Sequence, residues 1–236
     1  MSRPPKTAAF GKSEPPQLTE FAKRERVSRV ALFALYAGPA LLWAGLSSLG
    51  RVWDREGWLV SGERSLVRAL VLLVPCSLWA WRRLDEAPVE AWALGAPLRR
   101  GIRRALLVSA LYLGTVSAIS VSQGQPLIGP IAPWALVYLP LDAAVEEAFF
   151  RGFLLLHAAR GRRFAAANAL CSFGFVLVHS RIFIGLWHSG ARFELIPVAL
   201  SLFLLSLALG EVTRATRSIW LAVLLHTLNN VLASGS

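Results

Sequence analysis

Charge is scarce in this chain, and so is most of what would staple or coat a soluble domain. Only 17% of the 236 residues are charged, against roughly a quarter in an ordinary soluble domain. Lysine occurs three times. The two cysteines, Cys76 and Cys171, each lie inside an apolar segment. That number and placement exclude a disulfide framework and lack the spacing of a metal site. There is no His-Glu-x-x-His pair and no Gly-x-Ser-x-Gly element, which argues against the commonest zinc and serine hydrolase signatures. No internal repeat or low-complexity tract appears. Nor do residues 1–26 read as a signal peptide, because the following apolar stretch is too long and no small-residue cleavage site is evident. With Pro4, Pro5, Pro15, Pro16 and several basic residues, they read as a flexible cytoplasmic tail.

What the chain does have is apolar length. Hydrophobic residues make up 55% of it, and a bilayer-spanning helix needs about 20 of them in succession. Arg29 and Arg51 bracket 21 uncharged residues, with Pro39 expected to kink the span. A shorter segment covers about 65–81 and carries Arg68 near one end, where a long side chain can snorkel to the interface. No charge appears from Ala105 to Leu141. That run is too long for one helix, and Gly124, Pro126, Gly129, Pro130 and Pro133 mark a break. Helices are therefore expected to about 122 and from 134 to 158, followed by spans at 164–186, 194–212 and 217–233. The expected fold is an all-α polytopic membrane protein of about seven transmembrane helices enclosing a polar intramembrane cavity. Its parts are the tail 1–26, N-terminal transmembrane helices 27–129 and a core 130–236.

The net charge of +11 raises nucleic acid as a partner. The basic residues, however, sit at the ends of apolar segments rather than along one polar face, so lipid headgroups and topology explain them better. With the N-terminus inside, eighteen Lys and Arg fall on the cytoplasmic side and six outside, Arg151 remaining within a helix. The positive-inside rule then places the N-terminus in the cytoplasm and the C-terminus outside, in a multi-pass protein of the inner (plasma) membrane.

The chemistry-bearing residues begin in the fourth expected helix, which holds Asp142, Glu146, Glu147 and Arg151. Insertion scales put each charge at a helix centre at about 2.5–3.5 kcal/mol, so such residues face a wet cavity or a partner. Glu147 and Arg151 are four apart and form a natural ion pair on one helix face. Glu146 lies about 100° around the helix from Glu147 and points elsewhere. It is either a packing carboxylate or, in a confined cavity, a general base. His179 lies near an end of the fifth helix. His226 and Asn230, also four apart, share one stripe of the last. Two donors on one face can hold an oxyanion or join helices by hydrogen bonds. The stretch itself leaves both open.

Three patterns occur in order: Glu-Glu-x-x-x-Arg at 146–151, Phe-x-x-x-His at 175–179 and His-x-x-x-Asn at 226–230. Together they resemble the CPBP (Abi) family, the CAAX-type prenyl endopeptidases of the Rce1 kind and their bacteriocin-processing relatives. The resemblance covers about residues 130–233; Gly210, Arg214 and Ser218-Ile219-Trp220 also look like the family. It implies an intramembrane glutamic-type endopeptidase. Glu146 and His179 would activate a water, His226 and Asn230 would stabilise the tetrahedral oxyanion, and Glu147 and Arg151 would support the site. Asp142, one turn before Glu146, is not required by the motif. His157 and His188, near segment ends, are expected at the interface.

No cofactor is expected, with zinc as the rival, because Glu146, His179 and His226 are also zinc-ligand types. The uncharged Asn230 favours the oxyanion role instead. A non-catalytic bacteriocin-immunity or scaffold protein is a further alternative, and proton-coupled transport a weaker one for want of a repeat. The expected partners are the lipid bilayer and a membrane-embedded protein or peptide substrate, with no nucleic acid. The Ala-, Leu- and Arg-rich composition points to a high-GC bacterium, where prenylation is not expected. A leader or a C-terminal sorting helix, as in myxosortase-like members, suits that setting better.

Overall fold

A computed structural model of the chain describes residues 34, 38, 39, 41–43, 45, 46, 61–84, 101–128, 131, 133, 135–159 and 163–233. The expected tail, most of the first span and the basic stretch 85–100 lie outside the described residues. Every regular element among the described residues is helical. In chain order they are α1 (Ser61–Leu84), α2 (Ile102–Ser122), α3 (Ala135–Glu147), a π-helical segment (Ala148–Leu155), α4 (Leu156–Ala159), α5 (Phe164–Val178), α6 (Ser180–Ser189), a 3₁₀ turn (Arg192–Glu194), α7 (Leu195–Thr216) and α8 (Trp220–Ala233).

Helix α2 shows why water is the wrong solvent. Its 21 residues contain one buried position, Ala105, while Leu106, Leu107, Leu111, Ile119 and Val121 stand exposed. A helix apolar on its outer faces is stable where the surroundings are lipid. At 1.5 Å per residue it reaches about 31 Å, the thickness of a hydrocarbon core. By length and composition, α2 and the helix Arg192–Thr216 are able to cross a membrane, and α5 with α6 makes a third span if the bent pair counts as one. Two or three of the seven expected spans are thus borne out. Helix α8 is shorter at 14 residues, and the apolar part of α1 is confined to Leu66–Ala80. The expected break after helix three is present: α2 stops at Ser122, and Gly124 takes φ +70° in the turn beyond it.

The fifth span differs from expectation. It is broken at His179, and α6 leaves α5 at 48°. The cause is local. The backbone N–H of His179 bonds the carbonyl of Val176, three residues back rather than four. The carbonyl of Phe175 instead accepts from the His179 ring, at 2.7 Å from Nδ1. A side chain has taken the acceptor that would continue the helix.

Helix α7 packs against α2 and α5, α8 against α3, and α1 also against α3. Two glycines permit the closest approaches. A Cβ on Gly210 would lie 1.9 Å from Asn168 Oδ1, and Asn168 in turn donates to the Leu207 carbonyl at 3.1 Å. Gly101, at φ +67°, lies against the Ala215 carbonyl, which a Cβ there would meet at 1.9 Å. The core between these helices is aromatic and branched-aliphatic, with Phe149, Phe150, Phe153, Phe175, Leu209 and Leu225 almost wholly buried.

Candidate active site

Helix α3 delivers two adjacent carboxylates where its register changes. Immediately after Glu147 the chain becomes π-helical, and all eight residues of that segment are buried. Such widened turns shift the helix face presented by the residues beyond them and often sit at functional sites. Here the segment buries Phe149, Phe150, Arg151 and Phe153 together, a set with no solvent-facing side.

Glu146 and Glu147 have different partners, as their separation around the helix requires. Arg151 Nη1 lies 3.1 Å from Glu147 Oε1, the expected (i, i+4) pair, with both side chains buried. Nη2 of the same arginine donates to the Ser206 hydroxyl at 2.8 Å and to its carbonyl at 3.1 Å. Its guanidinium also stacks 4.7 Å from the Phe175 ring. The second partner of Glu147 is His226, whose Nδ1 is 2.8 Å from Oε1. A carboxylate can only accept, so Nδ1 carries the proton and Nε2 points away from Glu147.

That Nε2 is turned toward Glu146, 3.9 Å from Oε2. Nε2 of His179 faces the same oxygen at 3.8 Å. With Nδ1 of His179 donating to the Phe175 carbonyl, its Nε2 is likewise the nitrogen presented to the site. Glu146 Oε2 is buried and, among the described residues, makes no hydrogen bond. Phe175 backs the arrangement, its ring centroid 4.6 Å from that of His179 and 5.6 Å from that of His226.

Three of the four expected catalytic residues, Glu146, His179 and His226, therefore meet around one carboxylate oxygen. Asn230 is one turn beyond His226 on α8 and half-buried; no hydrogen bond joins it to the other three. Its neighbour Asn229 is occupied elsewhere, accepting from Tyr112 on α2 at 2.8 Å.

Two expectations are corrected. Arg68 does not snorkel away from the interior: its Nη1 lies 2.6 Å from Glu146 Oε1 and 3.6 Å from Asp142 Oδ1. The signal was in the sequence, since an arginine in an apolar helix calls for a buried partner. His157 is not interfacial but buried, with Nδ1 2.7 Å from the Phe153 carbonyl and its ring 4.4 Å from that of Phe153. It packs on the far side of the π segment, against Trp79.

Among the described residues, no group of three or more His, Cys, Asp or Glu side chains is arranged to hold a metal ion.

Residues 128–232 match the family model described as Rce1-like, type II CAAX prenyl endopeptidase. No curated protein and no solved structure gives a significant match. The matched stretch contains Glu146, Glu147, Arg151, His179, His226 and Asn230, and stops short of α1 and α2.

Proposed function

Since residues 128–232 form an Rce1-like domain, of a family of endopeptidases, we propose that this membrane protein hydrolyses a peptide bond in a membrane-associated protein or peptide by glutamate-activated water. The observation that carries the reading is Glu146 Oε2. It is a buried carboxylate oxygen without a hydrogen bond among the described residues, faced by the Nε2 atoms of two histidines at 3.8 and 3.9 Å.

In this mechanism a water held between Glu146 Oε2 and His179 Nε2 gives its proton to Glu146 as its oxygen attacks the scissile carbonyl carbon. The carbonyl oxygen becomes an oxyanion, stabilised by donors aimed at it. His226 and Asn230 supply those donors from one stripe of α8. Because Nδ1–H of His226 goes to Glu147, donation from Nε2 requires the imidazolium. Carboxylates 2.8 and 3.9 Å away stand ready to pair with that cation. Collapse of the intermediate breaks the C–N bond, and the proton on Glu146 passes to the leaving nitrogen. Glu147 and Arg151 touch no reacting atom; they orient His226 and anchor the π segment. The chemistry is proposed to be metal-free.

The substrate class is argued from the surroundings. The site lies among apolar helices, so the scissile bond must arrive on a chain that partitions into the bilayer. A leader or C-terminal sorting helix meets that need, as does a lipidated C-terminus of the type in the family's name. The excess of basic residues on one side supports a plasma-membrane protein with its N-terminus in the cytoplasm.

The test is cleavage by the purified chain in lipid nanodiscs. Internally quenched peptides of two kinds are offered: an unmodified apolar helix with a polar tail, and an S-farnesyl cysteine followed by three residues. Wild type is expected to cleave one of them. Glu146→Ala is expected to lower kcat by at least about 10³-fold, within the range for loss of a general base. Cleavage that survives Glu146→Ala refutes the mechanism, and loss of cleavage to a chelator with recovery on added zinc refutes its metal-free form.

A further inference from the structure

The matched domain does not contain every group that touches Glu146. Arg68 comes from α1, outside residues 128–232, and makes the shortest contact to that carboxylate, 2.6 Å to Oε1. Arg151, although only five residues from Glu146 in the chain, is committed to Glu147 and Ser206. Two arginines thus serve two adjacent carboxylates, one from within the helix and one from across the bundle.

The geometry points to Arg68 as a positioning residue of the hydrolytic site, holding Oε1 of Glu146 so that Oε2 alone is presented to His179 and His226. This rests on the proposed role of Glu146 as the base. A glutamate carboxylate turns about a broad, roughly two-fold final torsion, so an unrestrained one would exchange its two oxygens freely. Arg68 removes that freedom, because its guanidinium is itself held by two groups besides Glu146. Its Cζ lies 4.8 Å over the Trp43 ring, and Asp142 Oδ1 stands 3.6 Å from the same Nη1. Asp142 is one helical turn before Glu146, so both carboxylates project toward α1 from one face of α3. Helix α1 packs on α3 along this line, and the side chains of Arg68 and Glu146 are 20% and 8% exposed. Asp142 therefore has a function the sequence motif does not assign: it tethers the arginine that orients the base.

A substrate-binding role for Arg68, through a substrate carboxylate, makes the opposite kinetic prediction. The experiment uses the full chain in nanodiscs and the quenched peptide that wild type cleaves. Arg68→Gln is expected to lower kcat by about 10- to 100-fold, since misplacing a reacting group by about 1 Å can cost about 10²-fold, with KM within about twofold. Arg68→Lys is expected to retain more activity than Arg68→Gln, and millimolar guanidinium to restore part of the kcat of Arg68→Ala. An unchanged kcat, or a rise in KM alone, overturns the proposal, as does failure of both lysine and guanidinium to recover activity. A thermal unfolding cycle over Arg68→Ala, Glu146→Ala and the double variant reads the ion pair without turnover. The loss of Tm from Arg68→Ala is expected to shrink by at least half once Glu146 is absent; equal losses in both backgrounds overturn the proposal. The two readings fail separately. A wild type that cleaves neither peptide counts against the protease, whereas an additive thermal cycle counts against Arg68.

Discussion

Arg151→Met is the most informative single perturbation away from the reacting atoms. The guanidinium is 1% exposed and its partner Glu147 is 0% exposed. Methionine fills similar length but leaves Glu147 as a buried carboxylate whose remaining partner is His226. Breaking a buried pair by removing one member costs about 3–5 kcal/mol. The Ser206 hydroxyl and carbonyl lose their donor as well, and the Phe175 ring loses the cation stacked 4.7 Å away. In the double variant Glu147→Gln, Arg151→Met, no charge is stranded, and the Gln oxygen still accepts from His226. What remains there is the loss of the Arg151 bonds to Ser206 and an introduced buried amide N–H without an acceptor, about 1–3 kcal/mol. The Arg151→Met loss is therefore expected to be about 2 kcal/mol smaller in the Glu147→Gln background, the difference between the middles of those two ranges. SDS-titration unfolding followed by the fluorescence of the nine tryptophans gives all four corners of the cycle. If the single-variant losses add to within about 0.5 kcal/mol, the two residues are independent. That result would refute the Glu147–Arg151 ion pair as a source of stability.

Packing yields two further expected outcomes. Gly210→Ala is expected to destabilise by about 1–3 kcal/mol through overpacking, because the new methyl would sit 1.9 Å from Asn168 Oδ1. Adding Asn168→Ala should restore part of that loss in the same unfolding assay, and no recovery would show that the clash is taken up elsewhere. Phe175→Leu keeps the core filled, at a cost of less than about 1.5 kcal/mol, but removes the ring beneath both histidines and Arg151. Its kcat on the quenched peptide should fall more than about tenfold while Tm drops by only a few degrees. A large Tm loss with full activity would show that Phe175 is core alone.

Local spacing made much of the site legible. Four-residue intervals put Glu147 beside Arg151 and His226 on one stripe with Asn230, because a helix returns to the same face at that interval. The same geometry separated Glu146 from Glu147, and the structure gives each its own arginine. The break at Gly124 was marked by a residue type that ends helices. What spacing did not reveal was the pairing across elements. Arg68 and Glu146 are 78 positions apart, and nothing local to either says that α1 packs along α3. The helix break at His179 was likewise hidden. The sequence reads as one span over 164–186, and the break depends on an imidazole capturing the Phe175 carbonyl. His157 was misplaced for a similar reason: closeness to a segment end says little about burial once a neighbouring helix covers that end.

The amino-acid sequence by itself determined that this chain belongs in a bilayer and that a few polar groups must lie within it. Uncharged runs of that length leave their backbone satisfied only as helices, and charges inside them are too costly to be incidental. It also determined which residues share a helix face, since that is a property of the backbone period alone. Only the tertiary structure decided which oxygen of which carboxylate faces the histidines. That depends on three helices and an arginine from a fourth arriving at one point, and each reaches it through packing contacts made far from its own motif. Glu146 has one oxygen bound to Arg68 and one turned to His179 and His226 because α1, α5 and α8 all close around the end of α3.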